Sequence, residues 1–76
     1  MAQDNQKSQS IVWRQPDGAP VTCHDKIVVL NENLSDLRQE CQDVMEDALL
    51  MGCDENQIRE VLEEIIRSAK NPFKKR

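Results

Sequence analysis

Residues 27–51 read IVVLNENLSDLRQECQDVMEDALLM, and Gly52-Cys53-Asp54-Glu55-Asn56-Gln57-Ile58 follows directly. Within this stretch Ile27, Leu30, Leu34, Leu37, Cys41, Val44, Ala48 and Met51 recur at alternating spacings of three and four residues. That is the a/d repeat of a coiled-coil-like helical seam, which is buried only when a second surface covers it. Gly52 stops the helix, because glycine tolerates the left-handed backbone that closes a helical C-terminus. Asp54 then offers an N-cap carboxylate, with Gln57 three residues on as in a capping box, and Cys53 and Ile58 stand at the positions of a hydrophobic staple. Ile58, Val61, Leu62, Ile65, Ile66 and Ala69 continue with the spacing of one apolar helical face. Asn71-Pro72 ends it, since the residue before a proline is pushed out of the helical region.

The expected fold is therefore mostly α. A long helix over about 23–51 and a short helix over about 55–69 form an antiparallel hairpin, because the connection is too short for any other path. Thr22-Cys23-His24-Asp25 supplies the first helix with a hydroxyl and an acid at its positive end. Upstream, residues 11–22 read IVWRQPDGAPVT. Pro16 fixes φ, Asp17 can bond its own backbone and Gly18 allows a positive φ, so this segment reads as a small β-hairpin. The plainer alternative is an extended arm with a tight turn. Pro20 has no ladder donor and belongs on an edge. Residues 1–10 are polar throughout and are expected to form a disordered leader. One domain over residues 11–70 follows, and residues 71–76 form a basic tail carrying Lys74, Lys75 and Arg76.

A chain of 76 residues with one Trp, one Phe and no Tyr must build an aliphatic core of modest size. The two helices differ in length by roughly 20 Å at 1.5 Å per residue. The returning helix can shelter the seam from Met51 back to about Leu37, which leaves Ile27, Leu30 and Leu34 exposed. Either the N-terminal arm folds over them, with Trp13 as its anchor, or a second protomer does. Each buried Leu or Ile is worth about 1.5–3 kcal/mol, which is large against the stability of so small a domain. A homodimer is the expectation, with Ile27, Leu30, Leu34, Leu37, Val44 and Trp13 as interface residues. Beside the seam, the g positions Lys26, Asn33, Glu40 and Asp47 run from basic to acidic, and the e positions are Asn31, Arg38 and Met45. An antiparallel pair sets the basic end against the acidic one.

Charge and composition exclude several function classes. Residues 24–69 hold twelve acids against four bases, near −8, so phosphate backbones are repelled and nucleic acid is not the expected partner. A basic protein partner would suit this acidic body. The longest apolar runs, 27–30 and 48–51, fall far short of the roughly 20 residues of a membrane span. The polar start offers no signal-peptide core, so a cytoplasmic protein is expected. Three cysteines at spacings of 18 and 12 do not make a disulfide framework.

Neither catalytic nor cofactor nor metal motifs emerge. Cys23 and His24 are sequence neighbours, but adjacent helical side chains point about 100° apart and cannot form a nucleophile–base pair. No Cys-x-x-Cys is present and there is one histidine. Cys41 falls on the seam, where a thiol acts as a small hydrophobe. The acidic pairs Glu46-Asp47, Asp54-Glu55 and Glu63-Glu64 lie on polar helix faces. The expected function is a small non-catalytic protein–protein interaction or regulatory module that self-associates and needs no cofactor; the alternative reading is a thiol-based sensor or metal-binding protein using Cys23, His24 and Cys53 across a dimer.

Overall fold

The computed structural model describes residues 11–73; the expected disordered leader over 1–10 and the last three residues of the tail lie outside them. Two helices dominate: α1, His24–Leu50, and α2, Glu55–Ser68. They have 27 and 14 residues, close to 40 and 21 Å at the usual rise, and they pack as a helical hairpin. The chain divides into two compact units, residues 1–38 and 39–76, with the boundary inside α1.

The β-hairpin expected over residues 11–22 does not form. Among the described residues there are no strands; the arm makes one isolated antiparallel bridge, between Arg14 and Pro20. Its chain reversal is as the residue types dictate. The Gly18 N–H donates to the Gln15 carbonyl at 2.8 Å, Asp17 Oδ1 accepts from the Ala19 N–H at 2.9 Å, and Gly18 takes φ +93°. Gln15 N–H to the Ala19 carbonyl and Val21 N–H to the Trp13 carbonyl then hold the two sides of the loop together. Arg14 and Pro20 are the non-hydrogen-bonded pair of this bridge, so the missing Pro20 N–H costs it nothing; on the turn side the Ala19 N–H is taken by Asp17 and the Gln15 carbonyl by Gly18, so the pairing goes no further there. Helix α1 also starts a residue later than expected, at His24, with the Cys23 carbonyl accepting from the Ile27 N–H at 3.1 Å.

The first unit is held by the arm lying on the start of α1. Trp13 Nε1 donates to Asn31 Oδ1 at 3.2 Å. Ile27 and Leu34, one turn to either side of Asn31, are half-buried, as are Trp13, Ala19 and Val21. An indole that buries its ring needs an acceptor for its N–H, and Asn31 supplies one from the helix face itself.

In the second unit the end of α1 is built as expected. Gly52 has φ +94°; its N–H donates to the Leu49 carbonyl at 3.0 Å, and the Cys53 N–H reaches the Ala48 carbonyl at 2.9 Å. These are the two backbone bonds of a Schellman cap, and they satisfy carbonyls the helix would otherwise leave orphaned. Asp54 caps α2, its carboxylate accepting from the Gln57 N–H at 2.9 Å. Glu55 lies in the first turn of α2 and pairs with Arg59 at 3.0 Å. The helix closes with Ser68 Oγ donating to the Ile65 carbonyl, and Asn71 Oδ1 then accepts from the Phe73 N–H across Pro72. The core between the hairpin's helices is thin. Ile58, 6% exposed, is the one buried hydrophobe among the described residues. Cys41, Met45, Ala48 and Leu62 are half-buried.

Candidate interaction surface

The seam of α1 splits lengthwise. Its eight residues fall into two columns, each repeating every seven residues: Ile27, Leu34, Cys41 and Ala48 in one, Leu30, Leu37, Val44 and Met51 in the other. All four members of the first column are half-buried. All four of the second are exposed, at 38%, 48%, 46% and 81%. Each unit contributes to this division. In the first, the arm attaches at Asn31, on the far side of Ile27 from Leu30, so Leu30 and Leu37 stay open. In the second, α2 turns Ile58 and Leu62 inward and Val44 and Met51 stay open.

Three of the six residues expected at an interface, Trp13, Ile27 and Leu34, are thus half-buried within the chain itself, while Leu30, Leu37 and Val44 remain exposed. Single exposed apolar residues are ordinary on a protein surface; a column of four at heptad spacing is not. Met51 extends that column. On α2, Val61 and Ile65 also stay exposed although they share the apolar spacing of the helix. Periodicity marks all of these as apolar positions but does not say which a short partner helix leaves uncovered. Asn31 was the least visible residue from sequence. Its signal was being an amide one helical turn from Ile27, on the covered side.

The other candidates are scattered. Cys23, His24 and Cys53 are each exposed, and Cys41 is half-buried on the covered column. Among the described residues no group of three or more His, Cys, Asp or Glu side chains is arranged to hold a metal ion. Several acidic side chains engage neighbours one turn away on their own helix: Gln39 donates to Asp43, Gln42 to Glu46, each at 3.0 Å. That is the behaviour of a solvated helix face. Among the described residues no helix is long and apolar enough to cross a membrane.

No protein-family model, no curated protein and no solved structure matches this chain.

Proposed function

We propose that this chain is a small non-catalytic interaction module that self-associates through the open column of α1. The observation that carries the reading is the exposure of Leu30, Leu37 and Val44 together, with Met51 next in line just past the helix end, on a helix whose other apolar column the chain covers for itself. Covering these side chains removes apolar surface from water at about 25 cal/mol per Å². A second copy supplies an equal column, as a two-fold interface requires. The patch is narrow, so the association belongs with the small, weak and concentration-dependent class of interfaces. Such an assembly suits a regulatory role in which the degree of association responds to the amount of protein present.

Sedimentation equilibrium over micromolar to millimolar chain concentrations tests the proposal. The natural protein shifts from monomer to dimer across that range, and a Leu37→Asp variant, with unchanged helical dichroism, stays a monomer. A natural protein that remains a single molecule throughout overturns the reading.

A further inference from the structure

Resting on that self-association, we infer that the second copy lies antiparallel, with Leu37 at the two-fold axis, Leu30 facing Val44 of the partner, and Lys26 level with Asp47 of the partner. The inference rests on two features of α1 that together leave a single register.

The first is the open column. Leu30, Leu37 and Val44 recur at heptad spacing along α1, His24–Leu50, and such a repeat pairs with a second helix through a left-handed supercoil. An antiparallel pair can superpose such a column on its copy in a few ways only. With Leu37 at the axis, all three side chains meet an apolar counterpart. A shift by one heptad that sets Leu30 against Leu37 puts Val44 opposite Cys23, ahead of the first residue of α1, and so takes away its place on the partner's column. The opposite shift, Leu30 against Met51 and Leu37 against Val44, is equally apolar.

The second feature is the rim. Lys26, Asn33, Glu40 and Asp47 flank the open column on its outer side, and all four are exposed. In a parallel pair the bases stay at one end and the carboxylates gather at the other, since Lys26 and Asp47 lie about 31 Å apart along the axis. Only an antiparallel pair brings them level. With Leu37 at the axis, Lys26 meets Asp47 and Asn33 meets Glu40, each within one residue of the apolar match. The register that sets Leu30 against Met51 instead places Glu40 opposite itself, and like charges across an interface are the standard means of rejecting a wrong partner. Apolar matching leaves two registers, and the rim removes one. Met51, the most exposed member of the column, then lies level with Cys23 of the partner.

Cysteine cross-linking reads both orientation and register. In a background with Cys23, Cys41 and Cys53 replaced by serine, Leu30→Cys, Leu37→Cys and Val44→Cys are made singly and oxidised in a glutathione buffer, alone and in pairs. The inference requires that Leu37→Cys links to itself, that Leu30→Cys links to Val44→Cys, and that Leu30→Cys alone stays unlinked. A Leu30→Cys homodimer overturns the orientation, and linking of Leu37→Cys to Val44→Cys in preference overturns the register; both leave the self-association standing. A natural chain that stays monomeric in sedimentation overturns both. The charges are tested without cysteine: Lys26→Glu weakens the dimer several-fold, and adding Asp47→Lys restores it. Failure of the swap to restore it refutes the pairing.

Discussion

Replacing Ile58 by alanine tests the account of what holds the second unit together. The side chain is 6% exposed, and the substitution removes three carbons from the one buried hydrophobe among the described residues. At about 0.8 kcal/mol per buried methylene the transfer loss is about 2.4 kcal/mol. A cavity contribution adds to this, but a layer between just two helices can partly collapse, so the expected cost stays near the low end of the usual range, about 2–3 kcal/mol. For 76 residues the whole stability is of order 4–11 kcal/mol, so one substitution removes a large share of it. Ile65 is the internal control. It sits on the same helix with the same chemistry but is 59% exposed, so Ile65→Ala costs about 1 kcal/mol. Ile58→Val, which removes one methylene, falls near 0.8 kcal/mol. Urea titrations followed by far-ultraviolet dichroism, at one fixed chain concentration, give all three values. If Ile58→Ala costs no more than Ile65→Ala, the thin core between the helices is not what stabilises the hairpin.

Three further outcomes are expected. Gly52→Ala destabilises by about 1–2 kcal/mol through backbone strain alone, because a Cβ at φ +94° meets nothing within 4 Å; a melting temperature unchanged from the natural protein refutes the left-handed cap. Asp54→Ala lowers stability by about 1 kcal/mol, and Asp54→Asn by much less, since either oxygen-bearing side chain accepts from the Gln57 N–H; equal losses in thermal melts refute the capping role. Asn31→Ala leaves a half-buried indole N–H without its acceptor, costs about 1 kcal/mol, and speeds hydrogen exchange at Trp13 Nε1 as read by nuclear magnetic resonance; unchanged exchange means that the arm is held by something else.

The features legible in advance are those set by local chemistry. Gly52 as a stop, Asp54 as a cap and the two helix spans depend on hydrogen bonds within a few residues, and each stands within a residue or so of its expected place. The arm was harder, because a ladder depends on donors from both sides. Pro16, Asp17 and Gly18 mark the reversal correctly, yet the Ala19 N–H is spent on Asp17 and the pairing stays a single bridge. The seam was legible as a width but not as two columns. A spacing of three and four residues says that both are apolar. Which one the chain covers depends on where Trp13 finds an acceptor and on how α2 turns Ile58 inward, and these are tertiary facts.

The Trp13–Asn31 contact has an optical consequence. The chain contains one tryptophan and no tyrosine, so nearly all of its near-ultraviolet absorption and emission arises in the arm. Fluorescence during denaturation follows the detachment of that arm, while dichroism follows the helices. The two signals need not melt together, and any gap between them measures how far the two halves of this small protein unfold as one.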